Sequence, residues 1–114
     1  MKPASFIWKN NHLAPLASAR ELSFHQGLNY GACIYEGIRV YQTQSGPAVF
    51  RLAEHQKRFF ASAKALQMPL PFDQNGFAHA IKSVIRKNRL TSAYLRPMAF
   101  YSEPKMGINI LNSK

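Results

Sequence analysis

The apolar residues in the first half of the chain alternate with polar ones. Over residues 34–41, Ile38 and Val40 fall on one side of an extended chain and Arg39 falls on the other, because side chains two apart on a strand share a face. A loop rich in chain-breaking residues and a second short apolar run follow. The pattern therefore predicts a β-hairpin over residues 34–50.

After residue 50, the apolar residues recur with the period of amphipathic helices. Two apolar stripes recur at helical spacing, and they consist of Leu52, Phe59, Ala63 and Leu66 in the first helix and of Phe77, Ile81, Val84 and Ile85 in the second. Pro69 and Pro71 close the first helical region, and Asp73 is the predicted N-cap of the second helix. The stripes mark the faces that we expect to be buried.

Short apolar segments near both ends of the chain predict further strands. They cover residues 6–8, 22–24 and 92–102, with residues 14–16 as a connection and Pro97 marking an edge or bulged position. Strands on either side of a helical pair are typical of an α+β layer domain, which is the fold class we predict.

Composition favours one globular domain with a basic surface. The 114 residues are 46% hydrophobic, carry a net charge of +10 and include a basic cluster formed by Lys82, Arg86, Lys87 and Arg89. Such an excess of positive charge favours binding to phosphates and nucleic acid. A solvated helix face, or one half of a larger protein, explains the charge as well. Because the sequence contains no recognised nucleic-acid-binding motif, we do not expect a nucleic-acid partner.

The sequence gives no indication of a membrane protein or a metalloprotein. No apolar run approaches the length of a membrane span, and the polar residues 9–12 interrupt any signal-peptide core. The single cysteine, Cys33, allows no internal disulfide, so we expect a reducing, cytoplasmic location. The four histidines lack metal-site spacing, and no metal ligand is predicted.

Two segments each place an aromatic ring beside a guanidinium group. Tyr35 and Arg39 share one strand face, and Tyr94 and Arg96 share another. A ring beside a guanidinium suits the recognition of a small acid with an apolar body. Exposed residues on a solvated strand face are the alternative interpretation.

The order and spacing of these segments resemble the branched-chain amino acid aminotransferases, which are pyridoxal-phosphate enzymes of fold type IV. The matching motifs are Glu-Gly-Ile-Arg at 36–39, Tyr-Leu-Arg-Pro at 94–97 and Met-Gly-Ile-Asn at 106–109. Two residues depart from the family pattern: Asn29 stands where His is common, and Tyr35 stands where Phe is common. The resemblance implies the small N-terminal domain of that fold, an antiparallel sheet with two helices packed on it, lacking its last strand.

The resemblance also implies an activity and a cofactor. The activity is amino transfer between leucine, isoleucine or valine and 2-oxoglutarate, with pyridoxal 5′-phosphate as cofactor. Arg58 matches the arginine that holds the cofactor phosphate, and a planar guanidinium suits that role. From the residues alone, an exposed ion pair between Arg58 and Glu54 would be the commoner case.

Further site residues follow from the same resemblance. Tyr35, Tyr94 and Arg96 match residues of the substrate pocket, where the arginine helps to receive the distal carboxylate of glutamate. Arg39 also matches, although a structural ion pair with Glu36 or another acid explains it equally well.

Residues that act across a subunit boundary are implied as well. Tyr30 and Ile108 match residues that reach into the neighbouring subunit, so the complete enzyme is expected to be a homo-oligomer. The alternative is that Tyr30 packs locally and that Ile108 is part of an apolar tail. Amino acids and 2-oxo acids are the small-molecule partners that the resemblance implies. A missing C-terminal half is the alternative to a homo-oligomeric partner.

The resemblance places the cofactor lysine beyond Lys114, in a second domain. We therefore expect residues 1–114 to be a single, incomplete N-terminal domain without a catalytic residue, inactive when alone. Three alternatives stay open: a fragment of a D-amino acid aminotransferase or aminodeoxychorismate lyase, a non-catalytic basic module that binds anions or nucleic acid, and one subunit of a two-chain enzyme.

A borohydride experiment tests the expectation that this chain has no cofactor lysine. The 114-residue chain is mixed with pyridoxal phosphate and reduced, and the labelled peptides are identified by mass spectrometry. We expect no stoichiometric label at any single lysine, because an electron-sink cofactor needs a specific anchor. One fully labelled lysine, with an absorbance change on adding leucine, would contradict this expectation.

Overall fold

The computed structural model describes residues 3–20 and 25–103. In chain order, the elements are β1 (Phe6–Lys9), β2 (His12–Pro15), a 3₁₀ turn (Leu16–Ser18), α1 (Gln26–Tyr30), β3 (Cys33–Tyr35), β4 (Ile38–Thr43), β5 (Gly46–Val49), α2 (Leu52–Ala65), α3 (Gln74–Lys87), β6 (Ala93–Leu95) and β7 (Met98–Phe100). Strands flank a helical pair, which confirms the predicted α+β class.

Every strand pairing among the described residues is antiparallel. β4 lies between β5 and β6, β3 pairs with β7, and β1 pairs with β2. In the register of β4 with β6, Ile38 lies opposite Leu95 and Arg39 lies opposite Tyr94. Arg39 on β4 and Tyr94 on β6 are therefore neighbours in one sheet, whereas Tyr35 on β3 belongs to another sheet.

The helices follow the prediction closely. The apolar stripes of α2 and α3 pack into one core with residues of β4 and β6. The largest fully buried side chains are Phe59, Ile38 and Val40. The rings of Phe59 on α2 and Phe77 on α3 lie 5.0 Å apart between centroids. Asp73 caps α3 as predicted, since its carboxylate accepts a hydrogen bond from the backbone N–H of Gly76 at 2.8 Å.

The prediction of one continuous strand over 34–41 is wrong. The chain leaves the ladder at Glu36 and Gly37, so that β3 and β4 belong to different sheets. The final strand predicted over 92–102 divides in the same way near Pro97, whose nitrogen has no hydrogen to donate to a neighbouring strand. The backbone N–H of Glu36 donates to the carbonyl of Pro97 at 3.0 Å, and this bond joins the two breaks.

The prediction of a connection at 14–16 is also wrong for residues 14 and 15, which belong to a strand. β2 extends to Pro15 and forms a hairpin with β1 through Asn10 and Asn11. Both asparagines have positive φ angles, of 48° and 68°, as the favoured two-residue hairpin turn requires. Only Ala14 of β2 is buried, so the strand leaves little hydrophobic pattern in the sequence.

Four further observations bear on the remaining predictions. Helix α1 was not predicted, because its five residues are too few to show a helical repeat. The strand predicted at 22–24 lies outside the described residues. The side chains of the basic cluster are all exposed, on the C-terminal half of α3 and just beyond it. Within residues 3–20 and 25–103, no helix is long and apolar enough to cross a membrane.

Candidate active site

The break between β3 and β4 places a carboxylate inside the fold. The side chain of Glu36 is only 3% exposed, although the residue lies outside the regular strand pairing. A buried carboxylate is costly unless it is paired and hydrogen-bonded. The neighbouring helix α2 supplies the partners.

Arg58 forms a two-pronged ion pair with Glu36. Its Nε donates to Oε1 and its Nη2 donates to Oε2, both at 2.6 Å. Charge-assisted pairs of this parallel geometry are stronger and more specific in orientation than neutral hydrogen bonds. The pairing of Arg58 with Glu54 that the sequence offered as an alternative is wrong, because the acid that Arg58 contacts is Glu36.

His55 completes the environment of the carboxylate. Its Nδ1 lies 2.8 Å from Oε2 of Glu36, and it precedes Arg58 by three residues on α2. Residues three apart on a helix face the same way, so α2 presents both side chains to Glu36 together. A carboxylate can only accept hydrogen bonds, so Nδ1 of His55 carries the proton in this contact.

These contacts fix the charge state of Glu36. The hydrogen bonds from Arg58 hold the pKa of Glu36 below its usual value, and His55 acts in the same direction against the effect of burial. In turn, Glu36 raises the pKa of the Arg58 guanidinium. The carboxylate is therefore ionised at neutral pH, and the pair is an anion matched to a cation.

The Arg58 side chain remains largely open to solvent, with 68% of its surface exposed. Nε and Nη2 each use one N–H on Glu36, so three of the five N–H groups of the guanidinium stay available. An exposed guanidinium that is oriented from behind by a carboxylate can bind a phosphate on its outer side. The chemistry of this donor set fits the phosphate group of a cofactor.

A second cluster of side chains lies at the surface, near the break between β3 and β4 and the break between β6 and β7. The guanidinium carbon of Arg96 lies 4.6 Å from the ring centroid of Tyr35 and 5.4 Å from that of Tyr94. Nη2 of Arg96 donates to the hydroxyl oxygen of Tyr94 at 2.7 Å. The structure thus brings together three residues that the sequence assigned to one substrate pocket, and both rings remain exposed.

Arg39 borders the same cluster. Its guanidinium carbon lies 5.6 Å from the ring centroid of Tyr94, its neighbour across the β4–β6 pair. The ion pair between Arg39 and Glu36 that the sequence left open is wrong, because β4 turns Arg39 outward and the partners of Glu36 come from α2. Two cations beside exposed rings make this face suitable for an acid with an apolar body.

Gly37 leaves room for the side chain of Tyr94. A Cβ atom at this position would collide with the hydroxyl group of Tyr94. Any larger residue would therefore displace the ring that Arg96 contacts. The glycine of the Glu-Gly-Ile-Arg motif has a steric role that its place in the motif alone did not reveal.

Of the two residues predicted to act across a subunit boundary, Tyr30 is not joined to the cluster. Tyr30 ends α1 with 46% of its surface exposed. Among the ring contacts and hydrogen bonds of the described residues, none links Tyr30 to Tyr35, Tyr94 or Arg96. Ile108 lies outside the described residues.

Sequence reasoning missed His55 and the true partner of Arg58. One signal was available: Glu36 shares its strand parity with the buried residues Ile34 and Ile38, which turns its carboxylate inward. The second was the spacing of His55 and Arg58 on one helix face. Glu36 and Arg58 lie 22 positions apart in the sequence, so only the fold shows that they meet. Among the described residues, no group of three His, Cys, Asp or Glu side chains could hold a metal ion.

The stability that the Glu36 pair provides is predicted to depend on pH. The folded pKa of Glu36 is lowered from an unfolded value of about 4.3. The stabilisation is therefore complete above the unfolded pKa and is lost as the pH falls through the folded pKa. Glu36→Gln should lower the free energy of unfolding at neutral pH, by an amount that shrinks in acid.

Urea unfolding of both proteins over a series of pH values measures this difference. Glu54→Gln is the matched control, because Glu54 is an exposed acid on α2, the helix that carries Arg58 and His55, and should show no comparable loss. A deficit in Glu36→Gln that stays constant from neutral pH to well below the unfolded pKa would contradict the prediction.

The family model for class IV amino-transferases matches residues 33–112. This range contains the Glu36–Arg58 pair and the Tyr35–Tyr94–Arg96 cluster. The chain is 40% identical over 108 residues to the branched-chain-amino-acid aminotransferase of Escherichia coli K12, a match that covers 95% of this chain and 35% of that protein. It is 37% identical over 102 residues to the enzyme of the same name from Pseudomonas aeruginosa, covering 90% and 33% of the two chains.

Solved structures give the same result for the fold. The branched-chain amino acid aminotransferase of T.th., solved with pyridoxamine 5′-phosphate, superposes with a TM-score of 0.95 at 41% identity, over 100% of this chain and 38% of that one. The same enzyme is also known in complex with N-(5′-phosphopyridoxyl)-L-glutamate and with 4-methylvaleric acid.

The chain spans about a third of the length of the curated relatives it matches. The likeness nevertheless extends over nearly all of this chain, and the family model covers well over half of it. With the antiparallel α+β fold and the two clusters, these matches establish that the chain belongs to the class IV aminotransferase family.

Proposed function

We propose that this chain forms the phosphate-binding and substrate-binding part of a pyridoxal-phosphate-dependent branched-chain aminotransferase. The reaction is reversible amino transfer between leucine, isoleucine or valine and 2-oxoglutarate. The observation that carries the proposal is the exposed guanidinium of Arg58, which Glu36 holds from behind, in a fold that also gathers Tyr35, Tyr94 and Arg96. Relatives that bear this enzyme name match the chain at 37% and 40% identity.

Arg58 is the proposed contact for the cofactor phosphate. Its outward N–H groups can donate to two phosphate oxygens, and its charge persists at any working pH. When bound, pyridoxal phosphate supplies an electron sink for reactions at the α-carbon of an amino acid. Phosphorylated pyridoxal derivatives are bound by the T.th. relative, which supports the same class of cofactor here.

Tyr35, Tyr94 and Arg96 are the proposed substrate contacts. The rings offer an apolar wall to a branched side chain, and Arg96 can receive the distal carboxylate of glutamate or 2-oxoglutarate. One site must accept both kinds of substrate, and an arginine that lies across the rings allows this. The T.th. relative has been solved with a branched aliphatic acid and with a glutamate derivative, which supports both modes.

Arg39 has a supporting role in the proposal. Its cation lies next to Tyr94 on the same face and adds to the attraction for acidic substrates. Tyr30 and Ile108 are proposed to reach the site of a second subunit in a homo-oligomer, and the exposed ring of Tyr30 leaves it available for such a contact.

Residues 1–114 are proposed to act as an N-terminal domain. They supply the contacts described above, while none of Lys57, Lys64, Lys82, Lys87 or Lys105 lies in the sequence context of the cofactor lysine. A cytoplasmic location remains a prediction from the single cysteine.

Replacement of Arg58 tests the phosphate contact. Arg58→Ala should weaken pyridoxal phosphate binding by about 10- to 100-fold, as expected for the loss of charge-assisted hydrogen bonds. Lys57→Ala, which removes an exposed cation from the adjacent position, should leave binding unchanged. Both variants are made in the full-length protein, and cofactor affinity is measured by absorbance titration. Equal effects of the two substitutions would show that only general positive charge matters.

Replacement of Arg96 tests the assignment of substrates. Arg96→Ala should lower kcat/KM for glutamate about 10- to 100-fold more than for leucine, because leucine has no distal carboxylate to lose a partner. Lys82→Ala, which removes an exposed cation on α3, should leave the ratio between the two substrates unchanged. Steady-state kinetics with both amino donors measures the ratio. An equal fall for leucine and glutamate would contradict the proposed role.

A further inference from the structure

We propose that His55 is a positioning residue for phosphate binding: through Glu36, it keeps the Arg58 guanidinium turned so that its free N–H groups point outward. This inference rests on the proposed function, in which Arg58 holds the cofactor phosphate. It assigns a task to a histidine that has no proposed contact with the phosphate or the substrate.

The three side chains form a chain of hydrogen bonds that converges on one carboxylate. Oε2 of Glu36 accepts from Nδ1 of His55 at 2.8 Å and from Nη2 of Arg58 at 2.6 Å, while Oε1 accepts from Nε of Arg58. His55 therefore shares an acceptor atom with Arg58. Any rotation of the carboxylate would disturb both contacts at once.

The carboxylate needs an external constraint to keep its orientation. The terminal torsion of a glutamate side chain is broad and has no sharp minimum of its own. Arg58 cannot supply the constraint, because 68% of its side chain is exposed and packing does not hold it in place. A long exposed arginine instead has many rotamers available.

His55 is suited to supply that constraint. Its side chain is 17% exposed, and its backbone N–H is bonded to the carbonyl of Arg51 in the first turn of α2. The imidazole thus projects from a regular helix and fixes one oxygen of Glu36. The fixed carboxylate then sets the plane of the guanidinium through the two-pronged pair.

The arrangement predicts an effect on the phosphate and not on the rest of the cofactor. His55 should influence the affinity for pyridoxal phosphate but have little influence on the affinity for pyridoxal, which lacks the phosphate. A role of His55 in general folding would change both affinities together. The ratio of the two affinities therefore separates positioning from stability.

The test compares two variants of His55 in the full-length protein. His55→Leu removes the donor, whereas His55→Asn keeps an amide N–H near the position of Nδ1. We expect the preference for pyridoxal phosphate over pyridoxal to fall about 3- to 30-fold in His55→Leu and to be largely restored in His55→Asn. Affinities for both compounds are measured by absorbance titration.

Two results would overturn the inference. One is an unchanged preference in His55→Leu. The other is an equal loss in His55→Leu and His55→Asn, which would show that the shape of the imidazole matters and its hydrogen bond does not.

Arg58→Ala in the same titration separates this inference from the proposed function. If Arg58→Ala retains the preference for pyridoxal phosphate, the proposed phosphate contact itself fails. If Arg58→Ala abolishes the preference while His55→Leu keeps it, only the role of His55 fails.

Discussion

The buried carboxylate of Glu36 must be neutralised, and the contacts that neutralise it join the strands to helix α2. Glu36 lies at the break between two strands and is turned inward, where an unpaired charge would strongly oppose folding. Helix α2 meets that need with Arg58 and His55 on one face. The position of α2 on the sheet and the orientation of the Arg58 guanidinium are therefore determined together. The contact that neutralises Glu36 also leaves the outer N–H groups of Arg58 exposed to solvent.

The break between β3 and β4 lies beside the break between β6 and β7. This explains how Tyr35, the neighbour of Glu36 in the sequence, joins Tyr94 and Arg96 in one cluster. The bond from the N–H of Glu36 to the carbonyl of Pro97 holds the end of β3 against the start of β7. Tyr35 precedes this junction in one segment and Arg96 precedes it in the other, so their side chains meet on the outer face. The absence of a side chain at Gly37 allows Tyr94 to approach the backbone there. Irregular backbone thus brings Tyr35, Tyr94 and Arg96 together.

The sequence predicted α2, α3 and the strand faces well, because these depend on local periodicity. Asp73 and the apolar stripes of α2 and α3 appear where the pattern placed them. The division of the strand at Glu36 was not predictable in this way. The residues before and after the break keep the same parity, with Ile34 and Ile38 both buried, so the alternation continues across it without a signal. Pairing between Glu36 and Arg58 is equally invisible to any local pattern, since it depends on how α2 packs.

The central claim is that one guanidinium binds Glu36 and a cofactor phosphate at the same time. A crystal structure of the full-length protein with pyridoxal phosphate tests it most directly. The account predicts that Nε and Nη2 of Arg58 keep their contacts with Glu36 while its outward N–H groups lie within hydrogen-bond distance of phosphate oxygens, about 2.7–2.9 Å. A phosphate held by other residues, with Arg58 bound to Glu36 alone or turned away into solvent, would contradict it.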